Sequence, residues 1–179
     1  MSDAISAAAR ANKTALLVVV DEAEPVVDRW RQRFDSSAAA GVPAHVTVLF
    51  PFLELDRVDA TLIGELRAIF GDHRAFDVRF EQCRRFADAL YLAPAPDRPF
   101  RALTEAVAAR WPEAPPYEGR FADVIPHLTV ANDREPMVYD EVETAVAGKL
   151  PITARISSVS LFANGGDRWQ QRQRFLLRQ

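Results

Sequence analysis

One cysteine, Cys83, stands in a chain of 179 residues. No internal disulfide can form from it, and a reducing, cytoplasmic setting is the expected one. With nothing around it that resembles a His-paired site, Cys83 reads as a half-buried strand residue and not as a nucleophile. Long apolar runs are missing too: the longest, Ala15 to Val20, is six residues, far below the roughly 20 a helix needs to cross a bilayer. The first residues lack the basic-then-apolar order of a secretory signal. A basic excess is also absent, with 22 Lys and Arg against 25 Asp and Glu and a net charge of −3. Proteins that grip duplex backbone usually carry that excess, so no duplex DNA partner is expected. Contact with nucleic acid would be local, at an end, a short strand or a nucleotide. No Gly-x-Ser-x-Gly phrase marks a serine hydrolase, and no Gly-rich phosphate loop supports nucleoside triphosphate use.

What remains is a globular composition, 49% hydrophobic and 26% charged, suited to one domain or two small lobes sharing a core. Residues 1–13 read as a loose terminus. Thr14–Asp21 is a continuous apolar, β-branched strand. A helix opens at Pro25 with Val26, Val27, Trp30 and Phe34 on one stripe. A loop over 36–43 leads to the strand His45–Phe50. Leu55–Phe70 reads as a helix stopped by Gly71. Phe76–Glu81 alternates as a strand, a turn follows near Arg84–Asp88, and Ala89–Pro94 is another strand. A helix from Asp97 to Trp111, the strand Val124–Ala131 and a helix ending at Ala147 come next. Three strands close the chain, the last two joined across Asn164–Asp167. The order strand, helix, strand, helix, strand thus occurs twice, over about 14–81 and 89–156, with closing strands over 157–177.

Histidine is scarce, at three residues, and two of the three sit in one phrase written twice. His45-Val-Thr47 and His127-Leu-Thr129 stand about eighty residues apart. At this chain's threonine frequency that coincidence is roughly a half-percent event. Side chains two apart on a strand share a face, so each strand offers an imidazole beside a hydroxyl, with Val46, Val48, Leu128 and Val130 turned inward. By the same parity Phe50 belongs to the core. His73 has neither strand nor Thr and reads as an exposed loop residue. An imidazole pair can supply a neutral base and a protonated acid near neutral pH. Displacement at a phosphodiester needs both, and hydroxyl donors suit the charge on its non-bridging oxygens. Zinc would need at least one more protein ligand, so neither metal nor cofactor is expected.

These phrases, HVTVLFPF and PHLTVA, in a chain of this length resemble the 2H phosphoesterase superfamily, and within it the 2′–5′ RNA ligase and cyclic phosphodiesterase branch. The RRF…YLAP hairpin and the closing W…RFLL strand add to the resemblance, which spans about Thr14 to Leu177. It implies a bilobal, pseudo-duplicated α+β fold, with two antiparallel-rich sheets facing a central cleft and helices outside. It implies an activity on phosphodiesters at ribose 2′ and 3′ oxygens, commonly 2′,3′-cyclic phosphate ends of RNA or nucleotides. His45 and His127 would be the acid–base pair, and Thr47 and Thr129 would hold the phosphoryl oxygens. Many RNA-acting members carry an arginine three residues beyond the second Thr, where this chain has Asn132.

Further substrate contacts have two readings each. Phe86 and Tyr91 could stack on a base or pack in the core. In the last strand Trp169, Phe175 and Leu177 share one parity and Arg172, Arg174 and Arg178 the other. That arginine row is either a solvated face or the source of a phosphate clamp, with Arg172 the candidate. The expected protein is a monomer acting on a small nucleotide or RNA end, away from membranes. The competing class is a module of the same fold that binds such an end without turning it over. A degenerate homologue would hold the two histidines too far apart to share a phosphate.

Overall fold

A computed structural model describes residues 12–179, so the expected loose terminus falls almost entirely outside it. Among the described residues eight strands and five α-helices follow in chain order: β1 (Lys13–Val19), α1 (Glu24–Phe34), α2 (Ser36–Ala39), β2 (His45–Leu49), α3 (Ala60–Asp72), β3 (Phe76–Arg85), β4 (Ala89–Ala95), α4 (Arg98–Arg110), β5 (Leu128–Asn132), α5 (Pro136–Ala147), β6 (Ile152–Ile156), β7 (Ser158–Asn164) and β8 (Trp169–Leu176). The class is α+β, as the sequence suggests. Two four-stranded sheets form, in the orders β2-β1-β7-β8 and β5-β4-β3-β6, and every pairing is antiparallel.

Differences from the sequence reading are local and have local causes. Residues 36–39 are a helical turn, not loop, because the Asp35 side chain accepts from the Ser37 N–H at 2.9 Å and caps it. The next helix starts at Ala60, since Asp59 caps it by accepting from the Leu62 N–H at 2.8 Å; Leu55–Arg57 is a separate 3₁₀ turn. That helix continues through Gly71 to Asp72, and His73 is its half-buried C-cap. Strand β3 runs on to Arg85, where Arg84 and Arg85 were expected to turn. Strand β5 begins only at Leu128, because Pro126 has no N–H to donate to a ladder.

Sheet composition cuts across the two similar stretches of chain. Strand β3 joins β4, and the late strands β7 and β8 extend β1 and β2. The helices cross over as well: α1 packs on β5, and α4 packs on β2. One buried apolar cluster runs through both sheets, from Leu16 and Val46 to Leu128 and Phe175. A second, smaller cluster of Ala15, Leu17, Val42, Phe162 and Trp169 lies on the opposite face of the first sheet. That face is the floor of the cleft.

Three β-bulges decide which side chains reach the cleft. In β2, Leu49 pairs with Leu16 and Thr47 with Leu17, so Val48 is an extra residue. In β5, Ala131 pairs with Leu90 and Thr129 with Tyr91, so Val130 is extra. In β8, Gln173 pairs with Leu161 and Gln171 with Phe162, leaving Arg172 extra. One inserted residue reverses the parity beyond it. Phe50 therefore leaves the core and packs against the cleft cluster. Trp169 and Phe175, expected on one face, lie on opposite ones, in the cleft cluster and the main core. The carbonyl of Val48 accepts from the Thr104 hydroxyl of α4 at 2.7 Å, which ties the bulge to the core side.

Candidate functional site

Strands β2 and β5 present the same local construction to the cleft. His45 and Thr47 are half-buried between the fully buried Ala44, Val46 and Val48; His127 and Thr129 are half-buried between Pro126, Leu128 and Val130. Burial of one face against the core fixes which face each imidazole–hydroxyl couple shows. In both copies Nδ1 of the histidine lies 2.7 Å from the carbonyl oxygen two residues earlier, Pro43 for His45 and Ile125 for His127. A carbonyl can only accept, so each Nδ1 carries the proton and each neutral ring has its lone pair on Nε2.

The two couples converge. His45, Thr47, His127, Thr129 and Asn132 line one cavity of about 180 Å³, floored by Leu17 and Trp169. Asn132 reaches it because of the Val130 bulge, and Phe50 occupies the matching position beyond Thr47 for the same reason. A larger chamber of about 520 Å³ opens beside it and shares His127, Thr129, Asn132, Phe50 and Tyr117. Tyr117, Glu118 and Asp133 on its wall have left-handed backbones, with φ of 50°, 57° and 51°, a conformation non-glycine residues adopt at a cost and often beside functional sites. The Tyr117 N–H holds that wall to the end of β2 through the Phe50 carbonyl at 2.7 Å.

Of the aromatic candidates, Phe86 lines the larger chamber. Tyr91 is buried and lines neither chamber; it stacks on Phe86 at 4.2 Å between ring centroids. Both rings meet His127 edge to face, Phe86 at 5.2 Å and Tyr91 at 5.7 Å, and so fix the plane of the imidazole. Arg172 is exposed and borders neither chamber. The bulge that carries it turns Trp169 into the cleft instead, edge-on to Phe50 at 5.9 Å.

Beneath His45 lies a charged pair four residues apart in sequence, a spacing that by itself says nothing of burial. Arg31 and Asp35 are fully buried, with the guanidinium 2.9 Å from the carboxylate. Arg31 also donates to the Val42 carbonyl at 3.2 Å and the Ser37 hydroxyl at 3.1 Å. Burial lowers His45 to about 4, and the charge of Arg31 pushes the same way; the bond to Pro43, Asp35 and then His127 act less strongly. Burial also lowers His127, offset in part by its bond to Ile125. Both shifts favour the neutral ring at pH 7 in the free protein. Among the described residues no three His, Cys, Asp or Glu side chains gather as a metal site would require. Cys83 is half-buried, its thiol pushed up to about 11, first by burial and then by Glu143. No helix among the described residues is long and apolar enough to cross a membrane.

Comparison with known proteins places this fold. E. coli LigT complexed with 3′-AMP superposes with a TM-score of 0.62 at 17% identity, over 94% of this chain and 99% of that one. A phosphoesterase matches with a TM-score of 0.59 at 16% identity, over 94% and 99%. A Thermus thermophilus protein matches with a TM-score of 0.57 at 15% identity, over 93% and 98%. At such identities the likeness is one of fold. No curated protein matches the chain in sequence. The family model of the 2′-5′ RNA ligase superfamily matches residues 19–168, a span that takes in both His-x-Thr phrases. This chain belongs to the 2′-5′ RNA ligase superfamily, a branch of the 2H phosphoesterases.

Proposed function

We propose that the protein is a phosphodiesterase that opens 2′,3′-cyclic phosphate ends of nucleotides or RNA by acid–base catalysis from its two histidines. The observation that carries this reading is the paired geometry: two imidazoles, each with Nδ1 engaged by a carbonyl, and two threonine hydroxyls around one cavity. His45 is the base, since burial and Arg31 hold it neutral. Its Nε2 takes a proton from water while the water oxygen bonds to phosphorus. The bond from phosphorus to one ribose oxygen breaks, and that oxygen takes the proton of His127. His127 gains that proton when the bound phosphodiester anion favours the imidazolium. Thr47 and Thr129 donate to the non-bridging oxygens as charge builds on them. No step calls for a metal ion. That E. coli LigT was crystallised with 3′-AMP, and separately with NADP+ and with ATP, is consistent with a nucleotide-sized ligand here.

Phosphorus NMR of the protein with 2′,3′-cyclic nucleotides tests the reading. Conversion to a single monophosphate is expected with the wild type and not with His45→Ala or His127→Ala, and EDTA should leave the wild-type rate unchanged. Identical traces for all three proteins would end the assignment. A second reading, a binding module, draws on the same lowered histidines, whose shifts disfavour a protonated acid in the free protein at neutral pH. It predicts tight binding of the cyclic nucleotide with no conversion.

A further inference from the structure

We propose that Arg31 and Arg101 are matched positioning residues. Each holds the carbonyl three residues before a catalytic histidine and thereby aims the next carbonyl, which keeps that imidazole protonated at Nδ1. The inference rests on the proposed activity and assigns two more residues to it. The contacts repeat atom for atom. Arg31 stands on α1, between β1 and β2, and its Nη1 donates to the Val42 carbonyl at 3.2 Å. Arg101 stands on α4, between β4 and β5, and its Nη1 donates to the Val124 carbonyl at 3.0 Å. One residue further on, the carbonyls of Pro43 and Ile125 lie 2.7 Å from Nδ1 of His45 and His127. A carboxylate four residues away along the chain takes Nε of each arginine, Asp35 at 3.1 Å from Arg31 and Asp97 at 2.8 Å from Arg101. A guanidinium is planar, so a carboxylate on Nε fixes where Nη1 points.

Local backbone chemistry carries the hold from one carbonyl to the next. Residues 40–44 and 120–127 lie in no helix or strand, so regular pairing does not set the carbonyls in question. Peptide units are planar, which leaves only φ and ψ of the intervening residue free. In the first copy that residue is Pro43, whose ring locks φ. In the second it is Ile125, which Pro126 confines to extended backbone. Holding the Val42 or Val124 carbonyl therefore leaves the next one little freedom. The first copy has a further tie, since the Ala44 N–H donates to Glu24 of α1 at 2.6 Å. Pro126 fills the matching place in the second copy and has no N–H to give. There Arg101 makes the additional contact itself, reaching the Asp123 carboxylate at 2.6 Å.

Ring-nitrogen NMR of the histidines at about pH 7.5, with steady-state kinetics on a 2′,3′-cyclic nucleotide, tests the pair. Arg101 is part-exposed, so Arg101→Met removes it without opening a buried charge. Arg31→Met is made together with Asp35→Leu, so that no buried carboxylate is left unpaired. Arg101→Met should give His127 a mixture of tautomers while His45 keeps its proton on Nδ1, and the double variant should do the reverse. Each should lower kcat by roughly tenfold to a hundredfold with KM little changed, the scale of loss from a slightly misplaced catalytic group. Arg110→Met, which breaks an ion pair to Glu65 from the same helix as Arg101, should move neither reading. A merely structural role for the arginines would shift both histidines together or neither, and either result would overturn the inference. Tautomers that shift as expected in proteins of which even the wild type turns over no cyclic nucleotide would overturn the activity and leave the hold on the histidines standing.

Discussion

At the scale of single residues, the histidines make the sharpest claims. The kcat/KM profile reports groups of the free enzyme. With His45 at about 4 and acting as base, activity rises as pH climbs through that value. With His127 acting as acid and lowered from 6.5, activity falls again before neutrality. A bell with its maximum below pH 6.5 is expected in initial-rate measurements; an alkaline limb above neutral pH would contradict these roles. Thr129→Val keeps the side-chain shape and removes the hydroxyl. Loss of one donor to developing charge typically lowers kcat by roughly 10²-fold, and steady-state kinetics should show that with KM little changed. The two couples themselves were readable in the sequence, because strand alternation is a property of adjacent residues. Phe50 and Trp169 were not, because a bulge depends on how a partner strand pairs.

Among the elements, the joint between α1 and α2 holds most of the buried polarity under the site. Asp35 caps α2 through Ser37 and pairs with Arg31, so its removal leaves a guanidinium buried with only neutral partners. Asp35→Ala is expected to lower stability by about 3–5 kcal/mol, read as a shift in the urea unfolding midpoint. Arg31→Met combined with Asp35→Leu removes both charges and should recover much of that loss. A double variant no more stable than Asp35→Ala would show that packing, and not the unpaired charge, sets the cost. The sequence displays this pair at helical spacing, but nothing in spacing says that Val42 closes over it. Arg172 teaches the converse. Its parity was legible, yet the bulge at its own position removed the basis for that parity.

Over the whole molecule, burial of two neutral imidazoles links stability to pH. In the unfolded chain both titrate near 6.5, whereas folded His45 titrates near 4 and His127 below its ordinary value. Between those values the unfolded state binds more protons, so stability falls as pH drops from about 6.5 and is flat above it. Urea midpoints at about pH 7.5 and about pH 5 should show the drop in the wild type and a smaller one in His45→Gln. A pH-independent difference between the two proteins would contradict the burial of His45.

The amino-acid sequence alone determined the elements and, within each His strand, which side chains share a face, since periodicity and capping act over a few residues. Only tertiary structure decided that strands eighty residues apart meet, that β3 and β7 exchange sheets, and that Asn132, Phe50 and Trp169 turn toward the cleft. Pairing register and the closing of one element over another are set by distant partners, and a linear pattern carries no record of them.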